Sequence, residues 1–581
     1  MSAQAAAAPA ALRRAAGWAG VAHARLLSVR PRYVVATLVA AQWAALAALA
    51  VTVRHNGWVY YMGGDQLWHY TGAYLLAHRE LAPTYVGVGW TTILTPVAWI
   101  AGRNLVSALP FIILFNGLVL VPLATFCMYG IGSRIGGRVF GYWTALLWIV
   151  LPYVGIPYAL HGYHQKYTEL TLPQVLGLGA MADFPSVVAL IVGAYLCLRA
   201  LDDRHWAWAA GAGFAVGYAL AIKPSNTAFL IAPAALFLAY RWRAAIFFAA
   251  GLAPPIALLA YWKARGFGRI PAFSRSEPEH RIAAGSGIFH PLTKYTHNNT
   301  WTQLHNNLIQ LREVFWSDRL LEFLAVAGMI ALLIRSRRAG VFVVAWFVAF
   351  LLLKGTYINA RVEDGGFWRL LLPAFPAFVV LLASVPLLVP GVRLHAPPPT
   401  PLRAPRRAVA GALAALGVVL VLFPFALVAS AKPIRPPHLA ALQSSSTLLP
   451  VESMGFFATP EPNGILLQWR PEHSAAGGIF YRIYRTAGEG GSTCVVNTNG
   501  PDACGRTVGD TVCGTVIKSA PTNCFLSPAA IVRATTRDAA FLDRPAPGTW
   551  TYRIGLTVNW LNDEQFGDPY VFSEPATVTV G

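Results

Sequence analysis

A succession of apolar runs limits what this chain can fold into more than any other feature. The first is Tyr33–Val53, and others follow at about 106–131, 139–158, 184–201, 206–222, 226–240, 244–262, 320–334, 339–354, 370–390 and 408–430. In lipid every backbone polar group must be satisfied internally, so a run of about 20 apolar residues crosses as a helix. Some of these runs are shorter, which is tolerated where protein lines them. Hydrophobic residues make up 56% of the chain and charged residues 12%, the latter about half the share in a soluble domain. Lipid has to cover part of that apolar surface. The expected class is a mainly α, polytopic bundle of about eleven spans in the cell membrane.

The formal net charge is +20. No basic groove or reader motif accompanies it, so nucleic acid is not an expected partner. The basic residues sit instead in short connections between runs, where they report topology. Segment 1–32 carries Arg13, Arg14, Arg25, Arg30 and Arg32. The run after it is too long for a signal peptide and lacks a clean cleavage site, so this segment reads as a cytoplasmic flank. The positive-inside rule places Arg134, Arg138, Arg199, Arg204, Arg241, Arg243, Arg335, Arg337, Arg338, Arg403, Arg406 and Arg407 in the cytoplasm as well. That parity holds only if Trp90–Gly102, a run of about 13 residues, does not cross. The bundle then covers 33–430. Its long outward loops are 55–105 and 263–319, joined by the shorter His161–Asp183 and Gly355–Arg369. The cytoplasmic connections are short, apart from the Pro-rich Ala396–Pro405, an extended connector. Any chemistry is expected on the outer side.

After a linker at 431–450 the period changes from helical to alternating. Strand signals run through Gly464–Trp469, Ile479–Tyr484, Thr549–Leu556 and Ala576–Val580, separated by Gly/Pro turns. Trp469, Tyr481, Tyr484, the stretch Phe541, Leu542 and Asp543, then Pro547, Tyr552 and Arg553, with Ser573 to Pro575 before the last strand, resemble a fibronectin type III domain over 451–581. The resemblance implies an all-β, Ig-like sandwich outside the membrane, with a binding or spacing role. The insert 487–528 departs from the pattern and holds Cys494, Cys504 and Cys513 ahead of Cys524. Their spacing is unlike a C-x-x-C zinc pattern, so two disulfides in an oxidising compartment are expected; of three possible pairings the sequence selects none. Cys127 and Cys197 lie within apolar runs and read as small buried hydrophobes.

The first outward loop carries the densest chemistry. Gly63 and Gly64 precede Asp65, and Gln66, Trp68, His69, Tyr70 and Tyr74 follow at spacings that suggest a helix at the membrane surface. A carboxylate near the bilayer edge is costly unless paired or solvated, which makes Asp65 a functional candidate. Its plainer role is to cap that helix. Thr95 and Pro96 then lie in a second apolar helix.

An acidic residue after the first span, a surface helix and a Pro-containing apolar helix resemble the GT-C superfamily of membrane glycosyltransferases. The polyprenyl-phosphate-sugar-dependent type is the nearest in pattern, as in protein O-mannosyltransferases and lipid A aminoarabinose transferases. Further echoes are Ala182, Asp183 and Pro185 entering one span, Lys223 and Pro224 between two others, and Phe367, Trp368, Arg369 and Pro373 entering a late one. The resemblance extends to about residue 390. The chain departs from it at Gln66, where many members have a second acid, and at Thr95, where many have a lysine that meets the donor phosphate. It also lacks the Trp-Trp-Asp motif of the oligosaccharyltransferase branch.

The resemblance implies an inverting hexosyl or pentosyl transfer from a polyprenyl-phosphate sugar in the outer leaflet to an extracytoplasmic glycan, lipid or protein. Asp65 would be the base, with Asp183 orienting the acceptor or assisting. Arg369, Lys223 and Arg361 would meet the donor phosphate, and Gln66, His69, Tyr70, His164 and Trp301 would bind substrate. Arg369 can equally flank a span, Lys223 snorkel to the interface and Asp183 favour a helix N-terminus. No cofactor is required. A divalent metal at the outward histidines (His161, His164, His280, His290, His297, His305) is the alternative, though their spacing matches no strong template. The rival function is a non-enzymatic transporter or flippase of lipid-linked glycans. Transporters commonly show internal repeats, and none is visible here.

Overall fold

The structure is a computed structural model that describes residues 24–52, 65–81, 87–102, 105–164, 167, 172–267, 299–315, 318–363, 365–389, 406–433, 455–469, 480–487, 495–497, 524–526, 531–536, 539–557, 571–572 and 576–581. The helices of the bundle are α1 (Pro31–Thr52), α2 (Asp65–Ala77) and α3 (Gly89–Ala101). There follow α4 (Ala108–Gly136), α5 (Arg138–Tyr158), α6 (Asp183–Asp203), α7 (Trp206–Ile222), α8 (Pro224–Tyr240) and α9 (Trp242–Arg265). After them come α10 (Trp301–Val314), α11 (Asp318–Arg335), α12 (Arg337–Gly355), α13 (Gly366–Leu388) and α14 (Ala410–Ser430). Among the described residues seven of these, α4, α5, α6, α9, α12, α13 and α14, are long and apolar enough to cross a membrane. The shorter α7 and α8 are apolar along their length.

Local sequence sets the breaks. Gly137 adopts φ 84, which lets the chain turn from α4 straight into α5. Lys223 is extended because Pro224 follows, and that ends α7 and opens α8. In the interior α7 lies against α9 so closely that a Cβ on Gly213 would overlap the Phe248 carbonyl. Small residues allow such approach between helices in lipid, where packing rather than the hydrophobic effect holds spans together.

The two ends of the bundle are held together differently. At one end Arg134 pairs with Asp202 at 2.5 Å, Arg241 donates to the Ala200 and Arg204 carbonyls, and Arg335 Nε donates to Leu387 O at 3.1 Å. Arg338 lies 5.7 Å from the centre of the Tyr240 ring and Arg138 donates to Leu27 O. At the other end the chain segments bond to each other through backbone: Leu160 to Val314, Thr300 to Thr356, and Lys432 to Arg79. The short parallel pairing of Glu80–Leu81 with Lys432–Pro433 belongs to that end.

Two segments read from sequence as outward loops are drawn into the bundle. In α2, Tyr70, Ala73, Leu75 and Leu76 are buried, and Trp90 of α3 is fully so. Residues 172–182 are buried throughout. Their backbone is satisfied by side chains: Asn116 donates to Gly177 O and Gly179 O, and Trp90 to Ala180 O. That substitution of side chains for water is what permits irregular chain inside.

The C-terminal region is a pair of small sheets. One is β1 (Phe457–Glu461), β2 (Gly464–Gln468) and β5 (Ala540–Asp543), antiparallel in the order β1-β2-β5. The other has β3 (Phe480–Ala487) between β4 (Ile531–Thr536) and β6 (Gly548–Thr557), with β7 (Val571–Phe572) and β8 (Ala576–Val580) on β6. Ile465, Leu467, Trp469, Ile483, Tyr552, Ile554 and Val578 form its core. The Tyr552 hydroxyl donates to Asp543 Oδ2 at 2.6 Å, and Arg485 reaches the same oxygen at 2.8 Å. In the insert the strands Val495–Asn497 and Cys524–Leu526 pair antiparallel. Cys494, Cys504 and Cys513 lie outside the described residues. Cys127 and Cys197 are buried free thiols.

Candidate active site

Charge concentrates where α6, α7 and α13 meet. Asp183 opens α6, and its side chain is 1% exposed. Lys223, which follows α7, pairs with its Oδ1. Arg369 of α13 places Nε 3.3 Å from both Asp183 oxygens. The acid at a helix N-terminus and the lysine at a helix C-terminus each suit the local dipole. Arg369 stands early in its own helix, against the dipole, and is held there by the carboxylate. Lys223 and Arg369 keep 20% and 28% of their side chains exposed. The arrangement is thus a buried acid with two cations on its open side.

The elements of the first loop dock beside this cluster. Gln66, the second residue of α2, accepts from Ala180 N at 2.9 Å, three residues ahead of Asp183. His69 Nδ1 lies 3.2 Å from Thr91 Oγ1, and the Tyr70 hydroxyl donates to Gly102 O at 2.7 Å. Burial keeps the Tyr70 phenol protonated well above the ordinary tyrosine range. Thr92 bonds Tyr218 of α7 at 2.7 Å, and Thr95 turns back onto Thr91 O. A Cβ on Gly87 would overlap the carbonyls of Ala221 and Ile222, so the entry to α3 lies directly on the chain leading into Lys223. Gln66, His69 and Tyr70 therefore direct polar atoms to the protein itself. Asp65 is the first residue of the helix so anchored.

A rim of aromatic residues adjoins Arg369. Trp368 donates to the Tyr163 hydroxyl at 2.9 Å, and Tyr163 donates to Val362 O. Phe315, Tyr167 and Trp368 meet edge to face. His164 Nε2 is 2.7 Å from Ala159 O, with the His161 ring 5.4 Å away. The 355–363 segment is fastened to α10 by Asn307, which donates to Gly355 O and Ala360 O. Arg361 is exposed on that segment and makes no side-chain bond to the Asp183 cluster among the described residues. Trp301, 71% exposed, opens α10 after the Thr300 cap. Lys354, buried at the end of α12 with its ammonium 6.0 Å from the Tyr357 ring centre, is a charge that the sequence reading passed over. Its place inside an apolar run hid it; only the meeting of α12 with α13 reveals its setting.

Chemically the cluster suits an anion, since two cations share one acid and remain partly open. Among the described residues no group of three or more His, Cys, Asp or Glu is placed to hold a metal ion. His280, His290 and His297 lie outside those residues.

No family model and no curated protein matches the chain. Among solved structures it is similar to the Archaeoglobus fulgidus oligosaccharyltransferase in its apo form, with 12% identity and a TM-score of 0.40 over 69% of this chain and 56% of that one. The same enzyme tethered to an acceptor peptide containing the NVT sequon gives 14%, 0.41, 68% and 55%. The archaeal oligosaccharyltransferase AglB from that organism, in complex with an inhibitory peptide and a dolichol-phosphate, gives 12%, 0.38, 68% and 56%. The chain thus spans little more than half the length of these proteins. At such identity and TM-score the likeness assigns neither activity nor ligand to this chain.

Proposed function

We propose that this protein is an inverting glycosyltransferase of the GT-C type that moves one sugar from a polyprenyl-phosphate donor to an acceptor outside the cytoplasm. The observation that supports this reading is the Asp183, Lys223 and Arg369 cluster, seated behind the anchored helix that Asp65 opens. Lys223 and Arg369 receive the donor phosphate, on which negative charge grows as the sugar leaves. Asp183 is a positioning residue, because both its oxygens are engaged by the two cations. Asp65 is the base. The acceptor oxygen attacks the anomeric carbon, its proton passes to Asp65, and the bond from that carbon to the phosphate oxygen breaks with its electron pair leaving on the lipid phosphate. A single displacement inverts the anomeric centre. The C-terminal sheets form a fibronectin type III-like sandwich outside the membrane, where Cys494, Cys504, Cys513 and Cys524 form disulfides. No metal is required.

The test is transfer from a pool of short-chain polyprenyl-phosphate sugars, comparing wild type with Asp65→Asn at equal expression. Asparagine keeps size and capping ability but cannot take the proton, so turnover is expected to fall about 10²–10⁴-fold with donor binding intact. Undiminished transfer by the variant would remove Asp65 as the base. Absence of transfer by wild type across a broad donor set would favour the transporter reading.

A further inference from the structure

Lys354 lies in the last turn of α12, where the helix dipole favours a cation whichever way it points. A lysine near the end of a spanning helix ordinarily carries its ammonium out to the headgroups along its flexible stem. Here the side chain turns inward: Lys354 is 7% exposed, while Leu352 and Leu353 beside it are 40% and 41% exposed. A charge drawn in from the interface loses hydration that the dipole alone does not offset.

The lysine turns toward the charged cluster. Helix α12 packs on the first turns of α8 and α13, Pro224–Leu230 and Gly366–Leu371, which begin beside Lys223 and carry Arg369. Trp346, about two turns before Lys354, fixes that seat. Its ring meets the Phe229 ring of α8 at 4.9 Å, and its Nε1 donates to Pro373 O of α13 at 2.8 Å. On the other side of the lysine, a Cβ on Gly355 would lie 3.9 Å from the Phe367 ring, two residues before Arg369. The Lys354 ammonium is 6.0 Å from the ring centre of Tyr357, which packs against the aromatic rim, and its charge interacts with that of Lys223. Like charges so placed repel, and Asp183 already gives both oxygens to Lys223 and Arg369. An ammonium has three N–H donors, so a bond to the protein leaves others for a further anion.

We infer that Lys354 recognises the lipid phosphate in its doubly charged, leaving form and sets the preference of the site for that form over the sugar-linked donor. This rests on the glycosyltransferase function proposed above. A sugar-linked phosphodiester carries one negative charge. When the bond from the anomeric carbon to its oxygen breaks, the electron pair stays on that oxygen and the phosphate gains a second charge, while the acceptor proton goes to Asp65. Lys223 and Arg369 against Asp183 leave one net positive charge, which matches the donor. Lys354 supplies another, which matches the transition state and the product. An interaction stronger in the transition state than in the ground state is the kind that raises turnover.

The test compares geranylgeranyl phosphate with its monomethyl ester, bound to the full chain in detergent and read by microscale thermophoresis. The lipid chains are identical. Well above the second phosphate pKa of about 6 the free phosphate carries two charges and the ester one. Wild type is expected to bind the free phosphate about tenfold more tightly, as one charge-assisted hydrogen bond predicts. Lys354→Gln keeps a polar end and most of the length, and should bind the two lipids alike with the affinity for the ester unchanged. In transfer assays the same variant should lose turnover about tenfold with the donor KM little changed, a split that loss of folded protein does not give. Equal binding of the two lipids by wild type would overturn the inference. So would a preference that survives in folded Lys354→Gln, since Lys223 and Arg369 would then account for it. A preference removed by Lys354→Gln in a chain that transfers no sugar would support Lys354 as the reader of the second charge and remove the glycosyltransferase function. Failure of wild type to bind either lipid would overturn both. The wild-type comparison decides even if the variant does not fold.

Discussion

At the scale of single residues, the two acids of the site make opposite predictions. Asp183 holds two cations in a buried position, and removing one member of such a pair leaves uncompensated charge, typically costing about 3–5 kcal/mol. Lys223 and Arg369 are partly exposed, so Asp183→Asn belongs at the lower end, about 3 kcal/mol. It should lower the unfolding temperature in detergent and weaken donor binding, whereas Asp65→Asn should change neither. Equal stability of the two variants would show that the cluster holds little together. A separate network occupies the sandwich. Burial, then the hydrogen bond and charge of Asp543, raise the Tyr552 phenol far above its ordinary value. A raised folded-state value stabilises below the unfolded one and is lost as pH climbs through it, so this contribution is complete up to about pH 10 and fades above. Proteolysis of 455–581 in the full chain should accelerate above that pH, and Tyr552→Phe should remove the dependence. Sequence could single out Asp183, Lys223 and Arg369 separately, each a charge at the end of an apolar run. It could not show that they meet, because 40 and 186 residues separate the partners of Asp183 from it.

At the scale of elements, helices were legible in the apolar runs because a bilayer fixes the length of a span, yet among the described residues seven of the eleven expected runs are helices long and apolar enough to cross, and α7 is a shorter one. The runs read at 139–158 and 206–222 became α5 (Arg138–Tyr158) and α7 (Trp206–Ile222) within a residue. The π-type turns at Asn116–Leu120 and Val418–Leu422 left no mark in hydropathy, since the side chains around them are as apolar as any helix. Nor did the burial of 172–182, which looks like a loop until Asn116 and Trp90 from other segments take up its carbonyls. The first-loop helices were legible, but their seat was not. That seat depends on close approach, and Gly87 offers its test. A methyl there meets the backbone of Ala221 and Ile222, which cannot yield as a side chain does. Gly87→Ala is expected to cost about 1–3 kcal/mol and to shift the entry of α3 away from Lys223. Transfer should fall with stability, although no charged atom has changed. Gly411→Ala, where the added Cβ meets nothing within 4 Å, is the control and should leave transfer intact. Identical behaviour of the two variants would mean that the α3 entry does not position the cluster.

At the scale of the whole molecule, the two ends of the bundle carry the remaining question, which is their orientation. A net charge of +20 matters here through where it lies and not through its size. Arg134, Arg138, Arg241, Arg335 and Arg338 gather at one end through contacts with Asp202, Leu27, Ala200, Leu387 and Tyr240, while the Asp183 cluster lies beyond the other ends of the same helices. Basic connections are retained on the cytoplasmic side, so the cluster is expected to face outward, where a lipid-phosphate sugar in the outer leaflet can reach it. Single cysteines can decide this. Ser336 lies between α11 and α12 at the basic end, and Ser430 is the exposed last residue of α14 at the opposite end. With Cys494, Cys504, Cys513 and Cys524 replaced by serine, the remaining Cys127 and Cys197 are buried and should stay unreactive. In intact cells an impermeant maleimide should label Ser430→Cys, and should reach Ser336→Cys only after permeabilisation. The reverse pattern would turn the bundle over. The charged cluster would then open on the cytoplasm, the insert cysteines would sit in a reducing compartment, and both the donor leaflet and the disulfides would fall with the orientation.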